Sequence, residues 1–264
     1  MSKITAIQDL LFWIEGDSAR NTDADAVECP PWYKGRSNLW YRGHSKKDWA
    51  LVPQVLRDSF KDRATRTDPQ APDPVQALEA TIFDRFRRLG AFMLDDRYGL
   101  ASLYFCAQHN GLPTRLLDWT QNPLAALYFA VEEHPDEDGE VFRLRSRADV
   151  PGEEGVDVVA EDDQLVSDAL FALERREPQA DSSGRFPIRI LPNMRAGRML
   201  QQDSRFTLHP PDCASLTPLV DHIIVPHNMK KRIREQLQQV GVHRGTLFPD
   251  LPNLVREIRF QAGV

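Results

Sequence analysis

The chain has 264 residues, 41% hydrophobic and 27% charged, enough apolar material for one large core or two small ones in a water-soluble protein. A formal net charge of -6 disfavours general nucleic-acid affinity through a basic surface and leaves only a local basic groove. No run reaches the about 18 apolar residues of a membrane-spanning helix. Cys29, Cys106 and Cys213 are odd in number and lack C-x-x-C spacing, which argues against a disulfide framework or zinc site and for a reducing cytoplasm.

The opening MSKITAIQDLLFWIEG, with Asp9 and Glu15 among its apolar residues, reads as an amphipathic helix and not a signal peptide. A polar, turn-rich loop follows to about residue 38. LWYRGHS is a short strand that Gly43 should break. Residues 60–75 read as an exposed connection. From Val75 to Leu89 the spacing of Leu78, Ile82, Phe86 and Leu89 is helical, with basic residues on the opposite face. ASLYFCAQH predicts a helix stopped at Asn110-Gly111. TRLL is a strand, after which Asn122 as N-cap and Pro123 in the first turn begin the helix PLAALYFAVEE.

PDEDG turns into the strand EVFRLR. Residues 150–184 look like a variable insertion with one helix near DQLVSDALFALERR. FPIRIL, RFTLH and HIIVP are strand candidates. NMKKRIREQLQQVG is a helix with a solvated basic face, ended by Gly241, and PDLPNLVREIRF a last one. Strands scattered among helices without β-α alternation favour α+β.

Two stretches carry the functional question. In LWYRGHS, period-2 geometry turns Tyr41 and Gly43 to one face and Trp40, Arg42 and His44 to the other. An arginine between aromatics in a strand needs a partner, either a bound phosphate or carboxylate or a structural bridge to a carboxylate such as Asp118. Gly43 permits close approach of a ligand or of another backbone. In LLDWTQNP, Asp118, Trp119 and Thr120 are either turn and packing residues or one wall of a cleft at a strand end. Gln108 and His109 stand at a helix end, where a histidine usually caps. His222 and His227 flank a strand without a third ligand, so no metal is expected. Signatures of hydrolase triads, phosphate-binding Gly-Lys loops and Rossmann folds are missing.

LWYRGHSKKDWALVPQVLR and AQHNGLPTRLLDWTQNPLAALYFA together resemble the FRG domain, a bacterial family named for its Phe/Tyr-Arg-Gly motif. GRMLQQDSRFTLHP and VGVHRGTLFPDLPNL are similar to its distal segments. The resemblance implies a single domain over 1–264: helix and loop at 1–38, core at 39–254, and the insertion at 150–184.

A second likeness is to ADP-ribosyltransferases of the arginine-serine-glutamate kind. WYRG looks like their first motif, LLDWTQNPLAALYFA like the second with Asp118-Trp119-Thr120 in place of Ser-Thr-Ser, and RMLQQDSRFTLHPP like the third with glutamine where glutamate is expected. It implies an ADP-ribosyltransferase-like split, mostly antiparallel sheet with helices around it. It also implies NAD as substrate for ADP-ribosyl transfer to a protein or nucleic acid, or for hydrolysis, in a toxin or phage-defence effector. An inhibitory partner is allowed for, and a non-catalytic binding module is the alternative.

Breaking the glycosidic bond of NAD builds positive charge on the ribose, so a site needs a cation for the diphosphate, a stacking surface and an anion near the ribose. The likeness assigns cofactor binding to Tyr41, Arg42, Gly43, Trp119 and Gln201. It assigns ribose or acceptor positioning to Asp118, Thr120 and Gln202, and proton movement to His44 or His109.

Overall fold

The computed structural model describes residues 3–18, 39–95, 97–145, 158–175, 187–193, 200–210, 216 and 220–263. In chain order its elements begin with α1 (Ile7–Ser18), β1 (Trp40–His44), α2 (Asp58–Thr67), α3 (Pro74–Gly90), α4 (Leu100–His109), β2 (Leu116–Thr120) and α5 (Pro123–Val131). There follow β3 (Gly139–Leu144), β4 (Val158–Ala160), α6 (Gln164–Arg175), β5 (Ile188–Leu191), β6 (Ser204–Leu208) and β7 (Val220–Val225). The chain closes through α7 (Lys230–Gln239), α8 (Arg244–Leu247) and α9 (Leu251–Ala262).

Local chemistry sets most of these limits. Asp73 accepts from Gln76 N at the start of α3, and Asn122 accepts from Leu124 N and Ala125 N at the start of α5, each just before a proline in the first turn. Gly111, at φ 86°, ends α4 in the left-handed region that a residue without Cβ adopts at least cost.

The strands form one sheet in the order β4-β5-β6-β2-β1-β3-β7, antiparallel except for β4 beside β5. The fold is α+β with a mostly antiparallel sheet. Tyr41 lies opposite Thr120, and Leu116 opposite Leu208, so alternation puts all four on one face. On that face α5 and α7 cover the β1-β3-β7 half through Tyr41, Val141, Ile223, Leu127 and Ile233. The helices α3, α4 and α6 cover the other half through Leu116, Phe206, Ile190, Phe105 and Leu170. Trp40, Leu117, Trp119, Phe142 and Leu144 form a separate cluster on the opposite face.

α5 is the element that seats β1. Leu127 and Tyr128 are fully or almost fully buried, each contributing roughly 1.5–3 kcal/mol relative to exposure. The helix lies so close that a Cβ on Gly43 would sit 1.9 Å from Ala126 O, and one on Gly139 2.3 Å from Ala130 O. The space a side chain at Gly43 would need is therefore filled by the α5 backbone. Gly43 also does not break its strand, since it pairs with Val141 inside β1.

Other expectations need correcting. Residues 58–67, expected as part of an exposed connection from residue 60, form α2. The helix buries only Ala64, so apolar periodicity could not reveal it; Asp58 in its first turn and Arg66 in its last suit the helix dipole. The segment read as an insertion supplies β4 and α6, and α6 packs Val166, Ala169, Leu170 and Leu173 into the core. Residues 146–157 and 176–186 of and around it, like the loop at 19–38 with Cys29, and Cys213, lie outside the described residues.

The basic helix is not uniformly solvated either. Lys230 is 2% exposed and donates to Ser45 O, Glu133 O and His134 O at 2.6, 3.0 and 2.9 Å. Three carbonyls take its three protons and fasten the end of β1 to the end of α5, while burial lowers its pKa.

Candidate functional site

The ladder between β1 and β2 is confined, among the described residues, to Tyr41 opposite Thr120, whereas each strand pairs over five residues with its other neighbour. Beyond that point β1 and β2 part. Arg42 reaches across the opening, its Nη1 donating to Asp118 O at 2.7 Å, where a backbone N–H would stand in a continuous ladder. A cavity of about 450 Å³, within the usual range for ligand pockets, occupies the gap. Its walls hold residues 41–45, Trp49, Arg57, Gln108, His109, Gly111, residues 118–120, Phe129, Glu132, Glu133, Gln202, Ser204 and Phe206.

Arg42 is only partly satisfied. Its Nε donates to His44 Nε2 at 2.9 Å, and its Nη1 lies 3.8 Å from Asp118 Oδ2. The Arg42 side chain is 17% exposed and that of Asp118 55%, so the carboxylate does not close over the guanidinium. Burial lowers the Arg42 pKa; Asp118 opposes the shift and Arg57 adds to it. Of the two expectations for this arginine, ligand anchor or structural bridge, the geometry leaves an edge of the guanidinium for a ligand.

His44 cannot serve as the proton shuttle expected of it at neutral pH. Its Nε2 lone pair is taken by Arg42, and burial together with the Arg42 charge pushes its pKa down to about 3. It is a neutral acceptor that orients Arg42. His109, half-buried at the end of α4, does line the cavity.

Asp118 is steered by a residue noted at the helix end but not assigned to the site. Gln108 Nε2 donates to Asp118 Oδ2 at 3.0 Å, and Thr114 Oγ1 holds the other end of the same amide. Thr120 donates to Gln202 O and accepts from Asn122 N at 2.9 Å, so its hydroxyl is occupied with closing the turn into α5. Gln202 lines the cavity, but its Nε2 is spent on Leu247 O at 3.0 Å. Gln201 is exposed and is not on the wall, because the chain turns at 202–203 into β6 and carries it outward.

Of the aromatics assigned to the ligand, Tyr41 and Trp119 border the cavity but, like Trp40 beside them, are almost wholly buried. Trp40, Tyr41 and Trp119 are 0%, 3% and 3% exposed, and Trp119 Nε1 is bonded to Thr207 Oγ1. Trp49, 45% exposed and edge-on to His44 and His134, offers ring surface instead. Glu132 and Glu133 at the end of α5 also escaped the sequence reading. Glu132 is engaged by Arg244 and the Tyr128 hydroxyl. Nothing local in PLAALYFAVEE distinguishes these two acids from an ordinary solvated helix end.

Residues 37–139 match the family model described as FRG domain. No curated protein and no solved structure matches the chain. The match contains every wall residue except Gln202, Ser204 and Phe206, and it excludes the distal segments that read as similar to the family.

Proposed function

The chain carries an FRG domain at residues 37–139, and from that premise we propose that its cavity binds NAD for ADP-ribosyl transfer to a macromolecule or for hydrolysis of the dinucleotide. The observation that carries this reading is the incompletely paired Arg42 guanidinium beside an open cavity, with the exposed Asp118 carboxylate across from it. The cation suits a phosphate. The anion suits the positive charge that develops on the ribose as nicotinamide departs. The parting of β1 from β2 is where a split sheet of the ADP-ribosyltransferase kind would take its substrate.

Asp118, oriented by Gln108, is the proposed charge-stabilising group in a chain whose third segment offers glutamines. Thr120 and Gln202 hold the wall, His44 sets Arg42, and His109 is the candidate for proton movement. Breakage of the ribosyl–nicotinamide bond leaves its electrons on nicotinamide. Water or an acceptor nucleophile then adds to the ribose carbon and gives up a proton. Such an activity fits a bacterial toxin or phage-defence effector with a protein or nucleic-acid acceptor.

The test is incubation of the purified protein with labelled NAD and cell extract. Released nicotinamide or labelled macromolecule, lost in Arg42→Ala and in Asp118→Asn while both variants remain folded, supports the proposal. Binding of NAD without its consumption would make the domain a nucleotide-binding module. Neither binding nor turnover would remove the NAD reading.

A further inference from the structure

We infer that Arg57 is the second arm of a diphosphate clamp in this cavity, taking one phosphate while Arg42 takes the other. The inference rests on the dinucleotide reading and narrows it.

Arg42 alone is a poor diphosphate site. Its Nε is committed to His44 and its Nη1 to Asp118 O, so the side-on fork of Nε and Nη2 that grips an oxyanion bidentately is not available. What remains is the Nη2 end, enough for one phosphate. Arg57 is in the opposite condition. It lines the same cavity and is exposed, and among the described residues its guanidinium has no hydrogen-bond or ion-pair partner. Among the described residues none of its five N–H donors is taken.

Its position is nonetheless fixed. The two residues before it, Val55 and Leu56, are 0% and 4% exposed in a single 3-10 turn, and Arg57 itself leads directly into α2. An exposed cation on an anchored backbone needs less ordering when a ligand arrives. Its charge is felt at the site, because it helps lower the pKa of both Arg42 and His44. Of the carboxylates on the wall, Asp118 sits 3.8 Å from Arg42, Glu132 is engaged by Arg244, and Glu133 makes no ion pair with either arginine among the described residues. Two guanidiniums lining one cavity repel each other until an anion enters between them.

The experiment measures binding of inorganic pyrophosphate, ADP-ribose and AMP to the full chain and to Arg57→Ala by calorimetry at low and moderate salt. The expected result is a loss of at least tenfold for pyrophosphate and ADP-ribose in the variant, a change under threefold for AMP, and an unaltered thermal melt. Equal binding of ADP-ribose by both proteins overturns the role of Arg57 and leaves the dinucleotide reading standing. An equal loss for AMP overturns the two-phosphate assignment. Pyrophosphate binding that depends on Arg57 in a protein indifferent to NAD sustains the clamp and removes the dinucleotide. No binding of pyrophosphate or ADP-ribose removes both.

Discussion

Two arginines on either side of β2, Arg115 just before it in the chain and Arg42 on the neighbouring strand β1, behave differently. Arg115, just before β2, is 1% exposed and fully answered: its Nε and Nη2 donate to Glu79 Oε2 at 3.0 and 2.7 Å, and its backbone N reaches Glu79 Oε1. Tyr104 completes the network from α4, its hydroxyl pKa held well above normal chiefly by burial. Burial opposes the charge on Arg115 most strongly, but Glu79 and Tyr104 with Asp73 together outweigh it and the pKa is raised. Arg42, beside the other end of β2, has a histidine lone pair, a carbonyl and a carboxylate at the limit of ion-pair distance. A buried arginine that serves the fold has a carboxylate built in; one left with neutral acceptors and a cavity in front of it is equipped for an anion from outside.

Breaking the satisfied end should cost most. Glu79→Gln leaves Arg115 as an uncompensated buried charge, and denaturant unfolding should show a loss of about 3–5 kcal/mol. Gly43→Ala comes next, because the new methyl meets the α5 backbone and α5 must move. About 3 kcal/mol, or insoluble protein, is expected, and far-ultraviolet circular dichroism on a thermal ramp reads it.

His44 sharpens the contrast through pH. It is neutral in the fold with a pKa near 3, and it protonates in the unfolded chain below its ordinary value of 6.5. The unfolded state therefore binds more protons between those limits, and stability falls as pH drops through that window. The loss should reach roughly 3 kcal/mol by about pH 4, and His44→Gln, which keeps an acceptor for Arg42, should flatten this limb of the stability–pH curve.

Arg42→Ala should cost only about 1 kcal/mol of stability, the value of ordinary hydrogen bonds, while abolishing NAD turnover. An unfolded Arg42→Ala would show that this arginine is as structural as Arg115 and would erase the distinction. The smallest stability effect belongs to Arg57→Ala, within about 0.5 kcal/mol because the side chain is exposed.

Where the signal is local, the sequence was legible. Asn122-Pro123 starts α5 and Gly111 closes α4 because capping acts over three or four residues. The alternation of Tyr41 and Gly43 against Trp40 matches the two faces of β1, as period-2 geometry requires. Tyr-Arg-Gly and the Leu-Leu-Asp-Trp-Thr stretch do meet around a cavity. Other outcomes needed the fold. The likeness made Trp119 and Gln201 ligand contacts, yet Trp119 borders the cavity as a residue only 3% exposed and Gln201 is exposed off the wall, while Lys230, read as part of a solvated face, is buried under three carbonyls.

By itself the sequence determined which segments coil, which extend, and which polar residues interrupt them, since propensity, periodicity and caps are properties of neighbours along the chain. Only the tertiary structure decided that β2 runs beside β1 and then parts from it, that Glu79 answers Arg115 from 36 positions away, and that Arg57 lines the same cavity as Arg42. Those outcomes depend on how helices and strands share a common core, and the energy of burying or sparing a charge is fixed only once its distant partners are in place.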